Sequence, residues 1–189
     1  AYDMCIRNED TPTLDGWLVV PNTLESGWID LYHVPSQQRI IESLGRQADI
    51  RSGTERPAIV MALQICILRD ILWIVAGYED GVLQAWTIPV STMEPTLVWT
   101  HKSHAESIMA LSMSPTCDSV LSLGADYNIV RTALHQEAVP HVQRIKRPGH
   151  ACASVRWDER VCVLGGWDAC ARVFTWPSLE PLAKLAYHK

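Results

Sequence analysis

No cysteine of this chain stands in a C-x-x-C pair. The six cysteines, Cys5, Cys66, Cys117, Cys152, Cys162 and Cys170, are scattered, several within apolar runs, where a free thiol behaves as a small buried hydrophobe. That removes the simplest zinc and redox signatures. Cys162 and Cys170 fall on neighbouring expected strands, yet a core drawn from 189 residues needs no disulfide staple, so a reducing compartment is the simpler reading. The chain also lacks a basic excess. Its net charge is −5 with acids and bases interspersed, which argues against a nucleic-acid binder. The densest basic stretch, Arg144, Lys146 and Arg147, fits a solvated outer strand better than a phosphate site. There is no G-x-x-x-x-G-K-[ST] phosphate loop and no G-x-S-x-G nucleophile elbow. No long uncharged apolar run is present either. The longest apolar region, Pro57 to Gly77, is broken by Arg69 and Asp70, and charges at bilayer depth are costly. Two buried strands joined by a turn at Arg69-Asp70 fit better than a membrane span. The opening Ala1-Tyr-Asp-Met-Cys5 has neither the basic start nor the apolar stretch of a signal peptide. It also has no initiator Met, so the natural N-terminus is expected to lie elsewhere.

What is present is a recurrence. The segments Ile71 to Trp86, Asp118 to Thr132 and Arg160 to Phe174 share one shape. Each is an apolar run, a small Gly-containing corner with an Asp, and a second strand-like run. Aligned on Asp80, Asp126 and Asp168, they repeat at 46 and 42 residues. A period in the forties with strand pairs points to a propeller blade. An apolar fraction of 48% supplies the core that such a stack needs.

The expected blades follow. The last unit runs over 149–189, with strands at Ala151–Arg156, Val161–Leu164, Ala171–Trp176 and Pro181–Tyr187. The corner Gly165-Gly-Trp-Asp168 supplies glycine where the backbone turns. The unit at 103–148 has strands at Ile108–Met113, Ser119–Leu123, Asn128–Ala133 and Val142–Lys146. The unit at 57–102 has strands at Ala58–Cys66, Ile71–Ala76, Val82–Thr87 and Thr96–Thr100. A partial blade at 15–43 contributes Trp17–Pro21, Trp28–His33 and Arg39–Glu42. Tyr32, Trp86, Thr132 and Phe174 take the same place in the third strand of each unit. Residues 44–57 read as a loop. The fold class is therefore all-β, one incomplete propeller of about three and a half four-stranded blades. Single-chain propellers usually have about four to eight, so the chain is expected to be a fragment. Self-association into a closed ring is the lesser alternative.

The unit resembles the WD40 repeat. That repeat carries a Gly-His before its first strand, a Ser or Thr in the second, an Asp in the next corner, and a Trp-Asp ending the third. The resemblance implies a hydrogen-bonded network that fixes each blade. His104, Ser122 and Asp126 match in one unit, where Thr132 replaces the Trp. His150 and Asp168 match in the next, with Phe174 for the Trp and Leu164 in place of the hydroxyl. Asp80 and Trp86 match in the earlier unit, where Ala76 stands at the hydroxyl position. No unit has the full set, so the blades should lean on apolar packing. A metal at His101 and His104 lacks further ligands. His104, Ser122 and Asp126 recur with the repeat, which marks them as structural and not as a catalytic triad.

A narrower resemblance rests on Pro21 to Pro35, Ile59-Val-Met-Ala-Leu63, Ala76-Gly-Tyr-Glu-Asp-Gly81, Gly165-Gly-Trp-Asp168, Arg172-Val-Phe174 and Leu182 to Lys189. These look like the ASTRA-associated protein 1 family, also called guanine nucleotide-binding protein subunit beta-like protein 1. In that family the final His-Lys opens a further repeat. Despite the second name, no phosphate loop for GTP is present. The resemblance implies a non-catalytic scaffold subunit of a nuclear assembly, with the cytoplasm as a second location. Its implied partners are RuvB-like ATPases, Tel-two co-chaperone components and a giant phosphatidylinositol-3-kinase-related protein. Its implied role is chromatin regulation and maturation of those kinases. No cofactor, metal, nucleic acid or membrane is implied. The alternatives are a generic WD40 adaptor in another pathway and an enzyme on a propeller scaffold. Tyr78, Tyr127 and Trp167 flank the corner aspartates. They are candidate anchors for a protein partner, against the plainer reading that each ring packs on the next blade.

Overall fold

Arg69 and Asp70 sit at φ of 51° and 62°. That is the left-handed pair a tight two-residue hairpin requires. The turn joins β5 (Val60–Leu68) to β6 (Ile71–Tyr78), so the longest apolar stretch is two paired strands. In the computed structural model, residues 1–7, 15–45, 58–135 and 139–186 are described. Among them every regular element is a strand.

The remaining strands are β1 (Asp3–Arg7), β2 (Asp15–Pro21), β3 (Trp28–His33), β4 (Gln38–Gly45), β7 (Val82–Pro89) and β8 (Thr96–Lys102). Then come β9 (Ile108–Met113), β10 (Ser119–Gly124), β11 (Asn128–Ala133) and β12 (His141–Arg144). The last are β13 (His150–Val155), β14 (Val161–Gly166), β15 (Ala171–Thr175) and β16 (Pro181–Leu185). They form four antiparallel sheets, β1 to β4, β5 to β8, β9 to β12 and β13 to β16, each ordered as in the chain. The first sheet corrects the expected partial blade at 15–43. β1 supplies its inner strand, giving four full sheets and not three and a half. Asp-Met-Cys-Ile-Arg is short and charged at both ends, so no alternation announces it. The loop expected over 44–57 begins inside β4 and otherwise lies outside the described residues, as does the end of the strand expected to reach Tyr187.

Three apolar clusters fill the three seams between successive sheets. Trp17, Val19, Ile29 and Leu31 of the first sheet meet Leu63, Ile74 and Trp86 of the second. Val75, Leu83 and Trp99 of the second meet Ile108 and Val120 of the third. Leu121, Leu123 and Ile129 of the third meet Leu164 and Phe174 of the fourth. A strand sandwiched on both faces reads as a continuous apolar run, and β6 does; β10 is buried throughout although it holds Ser119 and Ser122.

The inner strands β1, β5, β9 and β13 neighbour one another in turn. Their outward N–H groups have no partner within their own sheets, and one polar side chain per seam supplies it. Asp3 Oδ2 accepts from Ile65 N at 2.8 Å, Gln64 Oε1 from Met113 N at 3.0 Å, and Ser112 Oγ from Val155 N at 3.1 Å. Each acceptor from β5 onward immediately precedes the residue whose N–H is bonded, so one register recurs from seam to seam. Ser154, at the equivalent place in β13, is exposed.

Candidate functional site

The corner between β10 and β11 is a connected polar network. His104 arrives from the link between β8 and β9, and that link is pinned by Ser103 N and His104 N, which both donate to Gly81 O at 3.1 Å. Gly81 is at φ 79°, and a Cβ there would lie 2.2 Å from His104 O, so only glycine fits. His104 Nδ1 lies 3.0 Å from Asp126 Oδ1, and Nε2 lies 2.9 Å from Ser122 Oγ. An ionised carboxylate only accepts, so Nδ1 carries a proton toward Asp126, while Nε2 pairs with the Ser122 hydroxyl. Asp126 also accepts from Ala105 N, Asn128 N and Asn128 Nδ2. Burial works against its charge, but these bonds outweigh it and hold the carboxyl at about 2. Ser122 is fully buried, so its hydroxyl is sealed inside the blade. Thr132, at the position of the missing Trp, is also fully buried, and among the described residues its Oγ1 has no partner.

The fourth sheet is wired differently. Asp168 is held by Arg172, whose Nη1 donates to Oδ1 at 2.9 Å while Nη2 reaches Oδ2. This guanidinium keeps the Asp168 carboxyl well below the usual carboxylate range. His150 is fully buried, and among the described residues neither ring nitrogen has a hydrogen-bond partner. The expected His150–Asp168 pairing is therefore corrected. Arg172, four residues after the Asp on the adjoining strand, makes a bidentate pair that an imidazole cannot match. Phe174 packs among Leu121, Leu164 and Trp176.

In the second sheet Asp80 Oδ1 caps Val82 N at 3.2 Å, and Lys102 Nζ donates to Asp80 O. Trp86 is buried in the seam with the first sheet. The first sheet holds a network that the repeat alignment misses. Asp30, 1% exposed, accepts from Asn22 Nδ2 and Ser43 N at 3.0 Å and from Arg39 Nη1 at 3.3 Å. The signal is there to read: a lone Asp inside Trp28-Ile-Asp-Leu-Tyr-His33, an otherwise apolar strand, needs buried partners.

The three candidate anchors separate. Tyr78 is fully buried, and its hydroxyl donates to Gln84 Oε1 at 3.1 Å. It is core and not a docking residue, which corrects its assignment to the rim. Tyr127 is half-exposed with the Arg144 guanidinium 5.6 Å above its ring. Trp167 is 59% exposed and lies against Gly149. A groove of about 290 Å³ opens where the inner strands converge, lined by Tyr2, Met61, Leu63, Met109, Leu111 and Cys152 among others. Among the described residues no carboxylate lines it. Among the described residues no three His, Cys, Asp or Glu side chains gather as metal ligands would.

Four sheets of four antiparallel strands with stacked inner strands, three of them with an Asp in the corner between their second and third strands, define propeller-like blades. A chain of the mitotic checkpoint complex overlays it with a TM-score of 0.66 at 14% identity, over 92% of this chain and 48% of that one. The designed propeller-like protein Ika8 does so with 0.64 at 15%, over 97% and 48%. No protein-family model matches the chain. Its sequence is similar to ASTRA-associated protein 1 of Verticillium alfalfae, 29% identical over all of this chain and 47% of that protein. The Schizosaccharomyces japonicus protein of the same name is 26% identical over 92% of this chain and 53% of its own length. Mouse guanine nucleotide-binding protein subunit beta-like protein 1 is 27% identical over 91% and 51%. The chain thus spans about half the length of the curated relatives it matches.

Proposed function

We propose that this chain is a non-catalytic WD-repeat scaffold within a nuclear ASTRA-type complex linked to chromatin regulation and to maturation of phosphatidylinositol-3-kinase-related kinases. The observation that carries the reading is similarity to ASTRA-associated protein 1 along the whole chain. The geometry supports it, because His104, Ser122 and Asp126 are bonded to one another inside the third blade. A rigid scaffold that presents loops and rims suits assembly of several proteins. The partners on this reading are RuvB-like ATPases, Tel-two co-chaperone components and a giant kinase-related subunit.

Affinity purification of the tagged full-length protein from nuclear extract, followed by mass spectrometry, tests it. Recovery of the ATPases with a giant kinase-related protein is expected. Recovery of an unrelated partner set without them would replace this reading with that of a WD-repeat adaptor in another pathway.

A further inference from the structure

The third and fourth blades leave a groove of about 550 Å³ between their outer strands β12 and β16. Five cationic side chains line it: Arg144, Lys146, Arg147, Arg172 and Lys184. Among the described residues no acidic one lines it. The adjoining carboxylate, Asp168, is held by Arg172 and lies 3.7 Å from Lys184 Nζ. One acid against five bases leaves the groove strongly positive, although the chain as a whole carries −5. A solvated outer strand does not account for cations that converge from two blades.

The rest of the lining is apolar. Ile145 and Phe174 belong to the core and form the floor, while Pro181, Leu182 and Ala183 form one wall. Leu182 is 57% exposed. All five residues of β16 are exposed, and β15 is its sole neighbour in the sheet order. Its outer backbone edge is therefore open to an added strand. Tyr127, carrying Arg144 on its ring, forms a flat aromatic shoulder beside this lining.

We propose that this groove binds an extended acidic segment of a partner protein, one that places carboxylates against Lys146, Arg147 and Lys184 and an apolar side chain on Leu182. Charge complementarity, an apolar floor and a free strand edge are three separate features, and such a segment satisfies all of them. A nucleic acid would use only the first, and the chain as a whole carries −5. This inference deepens the scaffold reading by naming the chemistry of one partner.

Fluorescence anisotropy with the full-length protein tests it. The probe is a labelled peptide of glutamates flanking one phenylalanine, beside its glutamine counterpart and a labelled DNA duplex. The glutamate peptide should bind more tightly than either, and more weakly as salt is raised. The triple reversal K146E/R147E/K184E should weaken it about tenfold or more, with a melting curve close to the parent's because all three positions are exposed and the Lys184–Asp168 pair it breaks is a weak, solvent-facing one. Arg160→Glu, at an 83% exposed side chain on another turn, should leave binding as it is. Equal binding by the triple variant, equal binding of the glutamine peptide, or preference for the duplex would each overturn the proposal. Failure of the peptide to bind while the ATPases still co-purify would sink this inference alone and leave the scaffold reading standing.

Discussion

Arg172 grips Asp168 with both terminal nitrogens, while the histidine that the repeat pattern assigns to that aspartate stays buried and, among the described residues, unpaired. One blade earlier, His104 and Asp126 meet at 3.0 Å. Adjacent copies of one structural unit have thus reached different polar solutions. The two corners should respond differently to acid.

Asp126 sets the acid limit of the third blade. Its carboxyl is held at about 2 in the folded chain against about 3.9 unfolded. A depressed folded value contributes stability that is present above about pH 4 and is lost as pH falls through about 2. The contribution is on the order of 2 kcal/mol. Urea midpoints measured from pH 5 to pH 2 should fall, and Asp126→Asn should be less stable at pH 5 and flatter across the range.

His150 should act at higher pH. Burial, with Arg172 nearby, lowers its tendency to protonate, so the unfolded chain binds the proton more readily. Stability is then present above about pH 6.5 and declines below it. His150→Leu should be at least as stable at pH 7 and should lose that slope. A decline of unchanged steepness in the variant would show that another group is responsible.

Thr132 is a candidate for stabilisation. Its hydroxyl is fully buried without a partner among the described residues, and Val keeps the branched shape without the polar atom. Thr132→Val should raise stability by about 1 kcal/mol, read as a higher denaturant midpoint at unchanged slope.

Gln64 tests the seam bonds. Its side chain accepts from Met113 N across two blades. Gln64→Leu strands that N–H and should cost about 1–3 kcal/mol. Gln64→Glu keeps an acceptor and should recover most of the loss in the same unfolding measurement.

Tyr78 and Trp167 should part company under mutation. Tyr78→Ala removes a fully buried ring and should cost about 3–5 kcal/mol. Trp167→Ala removes a ring that is 59% exposed and should change stability by well under that. A similar melting loss for both would place Trp167 in the core.

The sheets were legible because their physics is local. Apolar runs, Asp-bearing corners and a period in the forties mark the strands from β5 onward to within a few residues. β9 and β11 match residue for residue. β1 was hidden because five residues with charged ends carry no period. The His104–Asp126–Ser122 contact was readable because three residue types fell at the spacings of a known network. Asp30 was readable in principle as a charge inside an apolar strand, but its partners Asn22, Arg39 and Ser43 come from three different places in the chain.

Sequence alone determined that this protein is a run of similar β-sheets, because periodic burial is written in the order of the residues. Tertiary structure decided which polar groups meet. Arg172 displaced His150 because a guanidinium on the neighbouring strand reaches both oxygens of Asp168, and Tyr78 turned inward because its place at the end of β6 is covered by packing. The convergence of Arg144, Lys146 and Arg147 with Lys184 was decided there as well. Those residues are about forty apart in the chain, and only the stacking of one blade on the next brings their charges to a single groove.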